Sequence, residues 1–167
     1  MMSTEPRVLP AYRNRTSDIY GKYLEQFRRR PDLDQDQPPL IFWLLAGYFR
    51  NTPAKFNTLG LFRVTSSDER VREVEIHMSQ ANFPYLTTVK DGNLVANYWK
   101  RLLREMKEPL IPFNKYEAFS ELGKIDEELR LQKIKEILSE IKEERLIYYN
   151  TLKFCLEFFQ ELVTYQE

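Results

Sequence analysis

This chain predicts an all-α fold of seven or eight helices, on three observations. Apolar residues recur at helical spacing in most segments, β-branched residues rarely alternate with polar ones, and no tight-turn dipeptide joins two alternating runs. Five glycines in 167 residues also leave few positions for turns that need positive φ. A chain of this length suits one domain, which would bury roughly 70% of the surface its unfolded form exposes. That domain is placed at 16–167, behind a flexible lead-in over 1–15 that carries two prolines, three arginines and no periodicity.

The elements follow in order. A first helix is expected from Ser17, with Tyr20, Tyr23, Leu24 and Phe27 on one face and Pro31 beyond its end. Arg28, Arg29 and Arg30 would then complement the negative end of its dipole, or form a binding patch. The acidic, proline-bearing stretch Asp32 to Pro39 reads as a loop. Leu40, Ile41, Trp43, Leu44, Leu45, Tyr48 and Phe49 make a helix apolar on most sides, expected at the centre of the core and ended by Asn51-Thr-Pro. Ser66 and Glu69 have capping-box spacing and open a helix carrying Val71, Val74, Ile76 and Met78.

From Asp91 to Met106 two stripes separate on one helix. Val95, Trp99, Leu102 and Met106 form the packing face, and Asn93, Asn97, Lys100 and Arg104 form a polar face open to a partner. Lys107 to Pro112 breaks that helix, and Asn114-x-x-Glu117 starts a short one. A charged amphipathic helix follows with Ile134, Ile137, Leu138 and Ile141 inward. The last helix begins near Leu146 and carries Tyr149, Leu152, Phe154, Leu156, Phe158, Phe159 and Leu162.

Composition excludes several function classes. Lys and Arg total 25 and Asp and Glu total 25, so bulk charge does not call for nucleic acid and any electrostatic role must be local. One cysteine, Cys155, and one histidine, His77, argue against a disulfide framework, a zinc site or a Cys-His nucleophile, and fit a reducing, cytoplasmic setting. The longest apolar stretch, Leu40 to Phe49, is too short to span a bilayer. Phosphate-loop, dinucleotide, esterase-elbow and zinc-peptidase motifs are all absent. The pairs Glu127-Glu128 and Glu143-Glu144 read as solvated helix faces, His77 as a core-edge side chain and Cys155 as a small buried hydrophobe.

Cations remain. Arg63 ends the apolar turn Gly60-Leu-Phe, with no carboxylate beside it in sequence. Lys100 and Arg104 lie one helical turn apart, and like charges at that spacing cost a helix a few tenths of a kcal/mol unless an anion answers them. Glu108, four residues beyond Arg104, is one such answer; an anionic partner is the other.

These residues resemble the RhoGAP domain, an all-helical module that accelerates GTP hydrolysis by Rho-family small GTPases. The family's Gly-Ile-Phe-Arg with its Ser/Gly-rich turn is similar to Gly60-Leu-Phe-Arg63-Val-Thr-Ser-Ser67, and its Leu-Lys-x-x-Leu-Arg-Glu-Leu-Pro-x-Pro-Leu to Trp99-Lys100-Arg-Leu-Leu103-Arg104-Glu105-Met-Lys-Glu-Pro109-Leu110. Both occur in the family's order and separation.

The resemblance implies that Arg63 is an arginine finger inserted into a GTP-bound Rho/Rac-type GTPase. Such a finger, supplied in trans, is worth roughly 10³ to 10⁵ in rate. It implies further that Lys100 and Arg104, with Asn97 on the same stripe, contact the GTPase and brace the loop. GTP, Mg²⁺ and the attacking water would belong to the partner, leaving this chain an activator with no cofactor and no catalysis of its own.

Where the chain departs from the family, expectations shift. Leu59 replaces the usual Glu before the Gly-Ile-Phe-Arg motif, which predicts a looser loop, and Met106-Lys-Glu-Pro109 replaces Leu-Pro-x-Pro. The best register of the late helix puts Tyr148 where the family has Asn in its Leu-Pro-x-x-Asn signature, with Asn150 two positions later. Past Tyr165-Gln-Glu167 the family continues with Asn-x-Met and Asn-Leu-Ala, so the domain is expected to be C-terminally short. These departures keep open a RhoGAP-like module that binds a GTPase or another signalling partner without stimulating hydrolysis. A weaker third reading is contact with an anionic membrane through Arg13, Arg15 and Arg28 to Arg30.

Overall fold

Helix α1 (Leu40–Arg50) is apolar around most of its circumference and is buried accordingly, with Phe42, Leu45, Ala46 and Phe49 fully removed from solvent. Around it a computed structural model describes residues 17–166. Among these are six α-helices, five short 3₁₀ turns and no strand, so the class is all-α as expected. The helices after α1 are α2 (Asp68–Ser79), α3 (Gly92–Glu105), α4 (Tyr116–Glu121), α5 (Glu127–Glu144) and α6 (Leu146–Gln166). The expected lead-in lies outside the described residues.

One aromatic cluster joins α1, α3 and α6. Phe158 of α6 lies 4.6 Å from Trp99 of α3 and 5.7 Å from Phe49 of α1, ring centre to ring centre, and all three are fully buried. Truncating such a ring costs about 3–5 kcal/mol, because the cavity cannot fully collapse. The α3 stripe behaves as its periodicity predicts: Val95, Trp99 and Leu102 are fully buried and Met106 nearly so. Asp91 caps that helix by accepting from the Asn93 amide at 3.0 Å. α5 and α6 are joined by the single residue Arg145.

Three expectations are corrected. The helix expected from Ser17 does not form; the segment is a series of turns with a 3₁₀ turn at Leu24–Gln26. Ser17 Oγ accepts the amides of Ile19 and Tyr20 at 3.1 and 3.0 Å, and Gly21 takes φ +74°, so side-chain bonding and a left-handed residue replace the helical ladder. The apolar pattern still reported burial, since Ile19, Tyr20, Leu24 and Phe27 are all in the core.

Without that helix there is no dipole for Arg28 to Arg30 to complement. Arg28 pairs with Asp18, Arg30 pairs with Asp32, and Arg29 donates to the carbonyls of Glu25 and Gln35. The cap of α2 is Ser67 rather than Ser66: Ser67 Oγ accepts the Arg70 amide at 3.3 Å. Glu143 and Glu144 are exposed as expected, and Glu144 also accepts from the largely buried Lys115 at 3.0 Å, as does Glu140 at 2.8 Å.

Candidate functional site

The loop that carries Arg63 is shaped by its own backbone. Gly60 has φ +73°, and its carbonyl accepts the amides of both Arg63 and Val64, at 2.9 and 2.8 Å. Only glycine takes that conformation cheaply, and a Cβ there would meet Val64 Cγ2 at 2.4 Å. Phe62 is also left-handed, at φ +62°, which costs a residue with a side chain about 1–2 kcal/mol.

The ring of Phe62 holds it there. It packs 5.0 Å from Phe159, 5.9 Å from Trp99 and 6.4 Å from Phe49, edge-on to the first two. The approach to the turn is equally tight, because a Cβ on Gly92 of α3 would lie 3.0 Å from Thr58 Oγ1 and 3.4 Å from Leu61 Cδ2. From the other side Gln166 at the end of α6 donates to the Phe56 carbonyl at 2.5 Å, and Tyr165 stacks on Phe56 at 4.3 Å.

The polar stripe of α3 finishes the clamp. Lys100 Nζ donates to the Phe62 carbonyl at 3.0 Å, and Asn97 Nδ2 donates to the Val64 carbonyl at 2.8 Å, as well as to Asn93 O within its own helix at 2.7 Å. The carbonyls of the two residues that flank Arg63, Phe62 and Val64, are therefore each held by a side chain of α3. Leu59, which was expected to loosen the loop, is 88% exposed and contributes nothing to this anchoring.

Arg63 itself is exposed, and among the described residues its side chain has no ion pair or hydrogen bond. The loop spends its hydrogen bonds on backbone and leaves the guanidinium unspent. Arg104 is similarly available: its side chain is 63% exposed and its only ion pair among the described residues is with Glu105 at 3.8 Å. Compensation by Glu108, one of the two answers the sequence left open, does not occur. Glu108 is taken by Arg145 at 2.5 Å and by the Tyr148 hydroxyl at 3.3 Å, in a cluster completed by Glu25. So Asn97 and Lys100 hold the loop that carries the unpaired Arg63 guanidinium, and Arg104 is exposed one turn further along the same stripe.

Tyr148 is fully buried, and burial raises its hydroxyl above the ordinary phenol value. Asn150 donates to the Asp36 carbonyl at 2.9 Å. His77 is half-buried and stacks on Tyr85 at 3.7 Å. Burial pushes the Cys155 thiol up to about 12, so it is inert at neutral pH.

Two ion-pair clusters escaped the sequence reading. Arg101, between Lys100 and Arg104, meets Asp68 and the fully buried Glu75 of α2. A signal for it existed: Glu75 falls in the apolar stripe of Val71, Val74 and Met78, where a carboxylate requires a buried partner. Arg145 with Glu25 and Glu108 left no such trace. Among the described residues no group of acidic, His and Cys side chains could hold a metal ion, and no helix is long and apolar enough to cross a membrane.

Comparison with known proteins adds the following. The RhoGAP domain model matches residues 39–167. The chain is 31% identical over 106 residues to Rho GTPase-activating protein 24 of Homo sapiens, covering 64% of this chain and 14% of that protein. To Rho GTPase-activating protein gacEE of Dictyostelium discoideum it is 30% identical over 149 residues, covering 87% of this chain and 24% of that protein. To Rho GTPase-activating protein 8 of Mus musculus it is 28% identical over 137 residues, covering 82% of this chain and 31% of that protein. The chain thus spans less than a third of the length of these relatives.

Proposed function

This chain belongs to the RhoGAP domain family, and on that premise we propose that residues 16–167 form a unit that accelerates GTP hydrolysis by a Rho/Rac-type small GTPase, with Arg63 as an arginine finger supplied in trans. One observation carries the reading: the carbonyls of Phe62 and Val64, the residues on either side of Arg63, are bound by Lys100 and Asn97, while the Arg63 guanidinium has no partner among the described residues.

A fixed backbone delivers the cation without reorganisation. Charge stabilisation of a transition state gains most from groups already in place when negative charge develops on the transferring phosphoryl group. Arg104, exposed at the end of the same stripe, serves as a docking cation for the GTP-bound partner. Lys100 and Asn97 act chiefly by holding the loop at the interface. GTP and Mg²⁺ belong to the GTPase, and this chain supplies side chains alone. A cytoplasmic setting accords with the single, buried Cys155.

Single-turnover GTP hydrolysis by a panel of Rho-family GTPases, with wild-type protein and with Arg63→Ala, tests this. Acceleration on at least one GTPase that the alanine variant loses by about 10³ is expected. Full activity in the variant, or no acceleration anywhere, would overturn it.

Tyr148 favours a second reading, in which the module binds a GTPase without stimulating it. Where the family carries an amide, this chain buries a phenol that faces Glu25 and Glu108. Binding to GTP-loaded GTPase that Arg63→Ala leaves intact, with hydrolysis unchanged by the wild type, marks that outcome.

A further inference from the structure

Lys100, Arg101 and Arg104 fall within five residues of α3, yet among the described residues only Arg101 of the three commits its side chain to carboxylates of α2. Its guanidinium is 14% exposed and bridges two carboxylates of α2: Nη2 on Asp68, and Nη1 3.3 Å from Glu75, whose side chain is fully buried. The other Asp68 oxygen accepts from Arg72 at 3.1 Å. Asp68 stands one residue beyond the Ser67 cap, where the arginine loop runs into α2.

Asp68 is within electrostatic reach of Arg104. The hydrogen bond from Arg101 is the main influence holding the Asp68 carboxyl below its usual range, with Arg72 and Arg104 adding smaller contributions of the same sign. A solvated aspartate with an unoccupied oxygen at that point would be a ready intramolecular partner for Arg104. Glu105 reaches Arg104 only at 3.8 Å, and Glu108 is bound to Arg145. Asp68 is therefore the acid whose commitment decides whether the exposed cation stays free.

We propose that Arg101 is a positioning residue for the docking surface: by occupying Asp68 it keeps Arg104 available to an anionic surface on the partner GTPase, and by pairing with buried Glu75 it fixes α2 against α3 at the foot of the Arg63 loop. The proposal rests on the GTPase-activating function above. It differs from a purely structural role in predicting that removing a second, acidic side chain repairs the loss of the arginine.

The test is single-turnover GTP hydrolysis as a function of activator concentration, on a GTPase that the wild type stimulates. Two variants are made. Arg101→Ala with Glu75→Gln removes the arginine without stranding a buried carboxylate. Arg101→Lys keeps a cation for Glu75 but cannot span both acids. Each is expected to raise the half-saturating concentration about tenfold while leaving the saturated rate within about twofold, a coupling of ordinary size for neighbouring charges. Adding Asp68→Asn to either is expected to bring half-saturation back to within about threefold of wild type.

Unchanged half-saturation in both variants overturns the proposal. So does a rise that Asp68→Asn fails to repair, since that is the mark of altered helix spacing alone. Failure of the wild type to stimulate any GTPase overturns the functional reading beneath it, and the two failures are thereby told apart.

Discussion

At the α5–α6 corner Arg145 spends its donors inside the protein. It gives Nη1 to Glu108 at 2.5 Å and Nη2 and Nε to Glu25 at 2.6 and 3.1 Å, with its guanidinium 3.8 Å over the Tyr148 ring. On the 58–66 loop Arg63 does the reverse. Its backbone is held by Gly60, and its neighbours by Lys100 and Asn97, while its side chain is bound to nothing among the described residues. Burial alone would lower the Arg145 pKa, but the hydrogen bonds it donates to Glu25 and Glu108 outweigh this and raise the value above that of an ordinary arginine. A cation serving stability thus shows matched acids on its own side chain. One reserved for another molecule shows a fixed main chain and an idle head group.

That contrast can be broken most sharply at Arg63. Arg63→Ala is expected to lower the GTPase-stimulated rate by about 10³ while leaving the urea unfolding midpoint where it was, because its exposed side chain makes no hydrogen bond or ion pair among the described residues. Arg145→Ala should give the opposite pattern. With Glu108 only 12% exposed and deprived of its charge partner, the unfolding free energy should fall by roughly 2–3 kcal/mol. The saturated hydrolysis rate of the molecules that remain folded should persist. Parallel urea titrations and single-turnover assays read both.

Asn97→Ala lies between the two. It releases the Val64 carbonyl and should slow stimulated hydrolysis roughly tenfold, the value of about one hydrogen bond to a group that must stay in place. Asn97→Asp, which cannot donate, should match it.

The smallest effect concerns acid. Burial would raise the Glu25 pKa, but its bonds from Arg145 prevail and hold it below the ordinary 4.5. The resulting stability is therefore fully present above 4.5 and is lost as pH falls through the lower folded value. Glu25→Gln should flatten that part of an acid-unfolding curve, monitored by circular dichroism, and leave the neutral-pH rate of hydrolysis unchanged.

Periodicity and motif went a long way in this chain. The two faces of α3 and the apolar circumference of α1 were legible because helical spacing encodes burial directly, and the Arg63 loop stood out because its glycine, phenylalanine and arginine are adjacent in sequence. The segment from Ser17 misled for a related reason. Its apolar spacing marked burial correctly, but Ser17 Oγ and the left-handed Gly21 outcompete the helix locally, and spacing cannot report that.

By itself, then, the sequence determined the all-α class, the core stripes and the identity of the exposed cations, since these depend on neighbours within a turn or two. Only the tertiary structure decided which charges are spent. Glu108 answers Arg145 instead of Arg104, and Arg145 meets Glu25 across 120 positions. Arg101 reaches Glu75 across 26, and Lys100 reaches the Phe62 carbonyl across 38. Ion pairs and carbonyl clamps of that kind depend on distances in the folded chain that no local pattern encodes.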